Sequence, residues 1–275
     1  MGEDEKYLFD LHGYLVLEGV LDPSEIAAAN AAIDAHADEL ELDPVIRSNG
    51  SRTLAGDRGR RDLTGFLEWE KPHCEVFRSL IVHPRLSPSL HELLGEGFRF
   101  CGSRIMVFDE GAEGFWFHEG AEPMDRSRSY IYRNGRMYCG MTQLMVLLSD
   151  VGPADGGFSC VPGSHKANFP APDEMRLYHK YQDRFQTITG KAGDAVLFVE
   201  ALMHGSLPWR AAHQRRLVLM GYFPGSICER PADTAPAYFD ELTEEQQAAL
   251  APPGYRGEDK GSILYETEKS NRRDT

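Results

Sequence analysis

The stretch "AGDAVLFVEALMHGSLPW", residues 192–209, decides how the rest of the chain is read. Its apolar run, "DAVLFV", is entered through the turn-forming "GKAGD" of residues 190–194 and is followed by His204 and Ser206. A short apolar run bounded by turn signals reads as a strand rather than a helix. Eleven residues beyond His204, Arg215 stands at the start of a second apolar run, "RRLVLMGYFP". A histidine just past one strand and an arginine entering the next make a candidate site on a β scaffold.

The same texture extends upstream as far as residue 97. "FRFCGSRIMVF", "GMTQLMVLLSDV", "GFSCVP" and "RFQTITG" read as further strands, separated by "DEGAEG", "GPADGG" and "PGSH". Several short strands closed by turns predict a jelly-roll barrel or sandwich. Before this region, "GYLVLEGVL" reads as a strand, so the chain is expected to open strand then helix. The helix is "LDPSEIAAANAAIDAHADEL", where Asp22 can cap, Pro23 suits the first turn and Glu25 completes a capping box. "LSPSLHELLG" predicts a second helix ending near Gly95. Residues 45–65 are polar, Gly-rich and carry Arg47, Arg52, Arg58, Arg60 and Arg61, which predicts a long loop of functional type. The expected organisation is one domain over residues 1–275, mainly β with peripheral helices, with its core at about 7–225 and a helical or irregular extension at 229–275.

Composition narrows the function classes. With 29 Lys plus Arg against 43 Asp plus Glu, the net charge of −14 disfavours nucleic-acid polymers and anionic membranes as partners. The N-terminal "MGEDEKYLFD" lacks the basic flank and apolar run of a signal peptide, and no apolar window is long enough to span a membrane. A cytoplasmic location is expected. The five cysteines, Cys74, Cys101, Cys139, Cys160 and Cys228, are scattered and odd in number, as suits reduced thiols.

Of the ten histidines, His36 and His91 fall in helices, while His83, His179 and His213 have polar surroundings. His118 and His204 differ, because each adjoins a predicted strand, His118 within the aromatic-flanked "FWFHEGAEP" of residues 115–123. His165 sits in the turn "PGSHK".

Four segments together resemble the phytanoyl-CoA dioxygenase-like branch of the iron(II)- and 2-oxoglutarate-dependent oxygenases: "DLHGYLVLEGVLDPSEI", "LSDVGPADGGFSCVPGSHKANFP", "AGDAVLFVEALMHGSLPW" and "QRRLVLMGYFPG". The resemblance implies a cupin-like double-stranded β-helix, a jelly roll, in which two histidines and one carboxylate hold Fe(II) as a facial triad. Carried over residue by residue, it makes His118 and His204 the metal ligands. It makes Arg215 the partner of the far carboxylate of 2-oxoglutarate, with Ser206 adding a hydrogen bond. Arg216 is the alternative clamp, and strand alternation allows only one of the two to face inward.

One position departs from the pattern. The family's His-x-Asp or His-x-Glu reads here His118-Glu119-Gly120, which resembles the iron(II)/2-oxoglutarate halogenases, where glycine or alanine opens a site for halide. That resemblance implies O2 and chloride beside Fe(II) and 2-oxoglutarate, a halide pocket at Gly120, and chlorination of an unactivated C–H bond in natural-product or antibiotic biosynthesis. Hydroxylation is the alternative outcome. It is also the outcome if a bulge brings Glu119 or Glu122 onto the metal, and a non-catalytic binding protein is the third reading. Carrier proteins are themselves usually acidic, so a freely diffusing substrate is expected in place of a carrier-bound one. Arg52, Arg58, Arg61 and Arg133 are candidate substrate contacts, which would suit a phosphorylated small molecule such as a nucleotide.

Overall fold

Strand pairing distributes the apolar runs between two antiparallel sheets. A computed structural model of the chain describes residues 1–119, 126–227 and 236–251. The larger sheet has seven strands, in spatial order Tyr14–Leu17, Ala195–Val199, Thr142–Leu147, Arg215–Phe223, Arg99–Phe108, Arg61–Leu63 and Glu41–Leu42. The smaller has four, in the order Gln186–Thr187, Gly157–Cys160, His204–Leu207 and Phe115–His118. Most neighbours are distant in sequence, and a single cavity is lined from both sheets. The fold is the cupin-like jelly roll with peripheral helices that the turn-bounded runs predict.

The central strand, Arg215–Phe223, shows how alternation sorts its residues. Arg215, Leu217 and Leu219 face the cavity. Their alternates face the helices: Arg216 donates to Asn30 and Asp34 of the helix Pro23–Ala35, and Tyr222 donates its hydroxyl to the Leu80 carbonyl. Val218 and Met220 on that face are fully buried. Burying a side chain of this size stabilises by roughly 1.5–3 kcal/mol. The helix begins as its sequence predicts, with Asp22 accepting from the Ser24 and Glu25 amides while Glu25 accepts from the Asp22 amide. Ala29, Ala32 and Ile33 form its buried face, and small alanines let it lie close to the sheet.

Three expectations are corrected. The chain opens with a helix, Glu3–His12, ahead of the Tyr14–Leu17 strand. Ten residues with only Phe9 buried are too few to be stable by propensity alone. Tertiary partners hold the helix instead: Lys6 pairs with Glu92, and Asp10 accepts from Lys166 and from the Tyr130 hydroxyl. In "RFQTITG" only Gln186–Thr187 is a strand. Tyr130–Arg133 and Arg136–Cys139 form a hairpin not expected from the sequence reading, turning at Asn134-Gly135, both with positive φ. Gly120, Cys228, Glu122 and most of the 229–275 extension lie outside the described residues; within that extension Glu244–Leu250 is a helix. Cys74, Cys139 and Cys160 are buried and Cys101 partly so, all as free thiols. Among the described residues, no helix is long and apolar enough to cross a membrane.

The end of the first helix is tightly specified. Gly13 caps it at φ +82°, and a Cβ there would come within 2.5 Å of His165 Nδ1. Gly13→Ala is expected to lower unfolding free energy by about 2 kcal/mol or more, since backbone strain alone costs roughly 1–3 kcal/mol; chemical denaturation measures it.

His165 donates from Nε2 to the Asp10 carbonyl, and among the described residues its buried Nδ1 has no partner. Burial, with Lys166 beside it, pushes its pKa down from 6.5 to about 4. The folded ring therefore resists protonation, so its contribution to stability is whole above pH 6.5 and is lost as pH falls towards about 4. NMR titration should show this imidazole still neutral at a pH where an exposed histidine is charged.

Candidate active site

The two histidines singled out by sequence are brought together by one register. Phe115–His118 and His204–Leu207 pair antiparallel with His204 directly opposite His118. Residues directly opposite in such a pair project from the same face, and the two rings stand 4.3 Å apart between centroids. Each ring is oriented by a backbone carbonyl two residues earlier in the chain: Nδ1 of His204 donates to Leu202 at 2.7 Å, and Nδ1 of His118 donates to Trp116 at 3.3 Å. With Nδ1 carrying the proton, Nε2 presents its lone pair. Burial pushes both pKa values down to about 4, for His118 with the neighbouring His204 adding to the effect. Both imidazoles are therefore neutral and able to ligate at physiological pH.

A third donor joins them. Glu200 lies in the turn between Ala195–Val199 and His204–Leu207, and ligand atoms from His118, Glu200 and His204 all lie within 4.8 Å of one another. Two imidazoles and a carboxylate are the donor set of a non-haem iron(II) facial triad, so these residues fit that metal. Glu200 was not among the residues predicted to act. Its signal was present in sequence, as the acidic residue that ends the apolar run four positions before His204.

The donors border a cavity of about 140 Å³ between the sheets, walled mainly by Met106, Phe108, Met145, Phe158 and Phe198. Arg215 enters it from the opposite, larger sheet. Its side chain is 2% exposed, its guanidinium lies over the Phe108 ring, Nη2 reaches the Met145 sulfur, and among the described residues Nε has no partner. Burial, with Arg60 nearby, pushes its pKa down to about 9, which leaves it charged at neutral pH. A buried, charged fork with no carboxylate partner among the described residues has the chemistry to pair with a carboxylate. Gly157 makes room for it: at φ +86°, a Cβ there would lie 3.2 Å from the guanidinium carbon. Ser206 lines the same cavity, two residues beyond His204 and so on the same strand face.

Arg47 and Arg60 also line the cavity, but both pair with Asp43, and Arg60 with Asp62 as well. The four arginines predicted as substrate contacts are not brought there. Arg52, Arg58 and Arg133 are exposed, Arg133 on the hairpin, and Arg61 pairs with Asp109. Arg52 and Arg58 lie in the irregular segment ahead of the strand Arg61–Leu63, and Arg133 stands beside the turn at Asn134-Gly135. Arg216, the alternative clamp, lies on the helix face with Asp34. Glu119 is turned away, accepting from the Ala171 amide and the Arg176 guanidinium. Gly120, the proposed halide pocket, is outside the described residues.

Comparison with known proteins decides the family. The phytanoyl-CoA dioxygenase (PhyH) family model matches residues 9–217. This chain belongs to that family. An ectoine dioxygenase of Bordetella parapertussis is 25% identical over 241 residues, covering 78% of this chain and 73% of the relative. A probable alpha-ketoglutarate-dependent hypophosphite dioxygenase of Stutzerimonas stutzeri is 23% identical, covering 76% and 74%. Among solved structures, HygX from Streptomyces hygroscopicus with nickel and 2-oxoglutarate bound superposes with a TM-score of 0.69 at 24% identity, covering 84% of this chain and 90% of that one. The epimerase SnoN from nogalamycin biosynthesis superposes at 0.61 with 19% identity, covering 93% of both. This chain is an iron(II)- and 2-oxoglutarate-dependent oxygenase.

His118→Ala and His204→Ala are each expected to weaken Co(II) or Ni(II) binding by about 100-fold or more, since even changes one shell further out cost about 10–100-fold. Isothermal titration calorimetry on the apoprotein measures it, and wild-type affinity in either variant would remove that histidine from the site.

Proposed function

We propose that this oxygenase hydroxylates an unactivated C–H bond of a freely diffusing small molecule. His118 and His204 hold iron(II), and Arg215 with Ser206 holds the far carboxylate of 2-oxoglutarate. The observation that carries the reading is the buried Arg215 guanidinium, charged and without an acceptor at Nε among the described residues, in the same cavity as the two neutral imidazoles. A dicarboxylate anchored on Arg215 would extend towards the histidines, which is the direction a chelating 2-oxo acid requires.

Iron, when bound, would activate O2, with 2-oxoglutarate and the C–H bond as the electron donors. The overall balance is R–H, O2 and 2-oxoglutarate giving R–OH, succinate and CO2, with one oxygen atom in succinate and one in the alcohol. The protein's part is placement. The carbonyls of Trp116 and Leu202 hold the imidazoles in their ligating tautomer. The aromatic and methionine walls exclude water from the reacting centre, and positioning at this scale controls which bond reacts.

Small polar molecules are the favoured substrates, since the names of related proteins point to ectoine and hypophosphite and HygX binds hygromycin B. A natural-product setting draws its support from HygX and SnoN. A phosphorylated substrate has less support, because Arg47 and Arg60 already have carboxylate partners. Chlorination rests on Gly120 alone.

Arg215→Ala should raise the dissociation constant for 2-oxoglutarate by the loss of a charge-assisted pair, worth about 2–5 kcal/mol. Arg216→Ala should leave it unchanged, because that side chain engages Asp34 and Asn30 outside the cavity. Titration of the Fe(II)-loaded protein with 2-oxoglutarate, with succinate release as the second readout, checks both; the reverse order of effects would overturn the assignment of Arg215.

A further inference from the structure

We propose that Glu200 supplies the carboxylate of the iron triad, in place of the missing side chain at position 120, and so makes this site a complete two-histidine, one-carboxylate centre with no need of halide. The proposal rests on the iron(II)/2-oxoglutarate reading above and assigns a ligand within it.

The usual position offers no donor here. Gly120 has no side chain, and Glu119 is committed elsewhere: its Oε1 accepts from the Ala171 amide at 3.0 Å and from Arg176 Nη2 at 2.9 Å, with both side chains at most 15% exposed. Strand alternation gives the reason, since Glu119 follows His118 directly and points to the other face.

Glu200 meets the requirement from a different element. It is 8% exposed, borders the cavity, and its carboxylate lies with the two imidazoles inside a 4.8 Å circle of donor atoms. Donors at about 2.0–2.2 Å from a first-row divalent metal stand roughly 3 Å apart when adjacent and about 4.2 Å when opposite. Small side-chain rotations therefore bring all three onto one ion. The turn that carries Glu200 is itself held: the Glu200 amide donates to the Met141 carbonyl, and the Leu202 amide donates to Val199. The same turn presents the Leu202 carbonyl that orients His204. Gln143, on the adjacent strand Thr142–Leu147, donates to Glu200 Oε2 at 3.0 Å and acts as its positioning residue.

Charge gives the second argument. In a cavity walled by aromatic and methionine side chains, net charge is costly. Fe(II) with one carboxylate leaves +1, and 2-oxoglutarate paired with Arg215 leaves −1, so these groups balance when Glu200 ligates, while Arg47 and Arg60 have carboxylate partners of their own. Where the carboxylate is absent, a halide must provide that charge. Glu200 and halide are thus alternatives, and a ligating Glu200 directs the reaction to oxygen transfer.

The test is anaerobic titration of apoprotein with Fe(II) and Co(II), followed by 2-oxoglutarate, with the visible metal-to-2-oxoglutarate absorption recorded with and without saturating chloride. Wild type, Glu200→Gln, Glu200→Ala and Glu119→Ala are compared, with circular dichroism to confirm folding. Glu200→Gln and Glu200→Ala should lose metal affinity by about 100-fold or more, while Glu119→Ala stays within a few-fold of wild type. The wild-type absorption should ignore chloride, and chloride should restore part of the metal affinity to Glu200→Ala. Wild-type affinity in a folded Glu200→Gln, or a chloride-dependent wild-type spectrum, overturns the proposal. If the wild type binds metal through Glu200 but forms no succinate with any substrate pool, the oxygenase function fails while the ligand assignment stands. If it forms succinate and Glu200→Gln binds metal normally, only the ligand assignment falls.

Discussion

His204 stands directly opposite His118 in an antiparallel strand pair, and the active site follows from that register. A slip of one residue would turn one imidazole to the other face of the small sheet, separating the rings. The register is secured on both flanks, because His204–Leu207 also pairs with Gly157–Cys160, with His204 opposite Cys160. That second pairing places Gly157 opposite Leu207, beside the guanidinium it must clear. The neighbour that positions the histidine thus also opens the space for the arginine.

The cavity's electrostatics depend on the separation of its charges between sheets. The neutral imidazoles and Glu200 belong to the small sheet and the turn leading into it, whereas Arg215 enters from the large one. Arg47 and Arg60 are retained at the rim by Asp43 and Asp62, so their charge is compensated within the protein. Arg215 has no such compensation among the described residues, and a buried cation in that state is costly until an anion arrives. The folded state therefore presents a buried cation to the cavity before any ligand is present.

The loop of residues 45–65 shows why arginine-rich sequence alone misdirects. Five arginines fall there, yet only Arg47 and Arg60 reach the cavity. Arg47 is carried in because its carbonyl accepts from Trp116 and its amide donates to Glu113, tying the loop to the strand that holds His118. Those ties are long-range and leave no local pattern. The hairpin at Tyr130–Cys139 is the opposite case, since Asn134-Gly135 is a strong local turn signal set between two short strands.

Residue type and spacing by themselves picked out most of the strands, the capped helix at Pro23–Ala35 and two strand-adjacent histidines, with an arginine pair eleven and twelve positions after the second. These are readable because turn chemistry, capping and the two-residue strand period act locally. The choice between Arg215 and Arg216 needed the fold, because alternation requires that one face inward without saying which. Glu200 needed it more: four residues from His204 in sequence, it is an ordinary acidic residue at a strand end until the turn folds its carboxylate in beside both imidazoles. The physical reason is that a metal site is a convergence of side chains from separate strands, and convergence is a property of tertiary packing that no one-dimensional spacing contains.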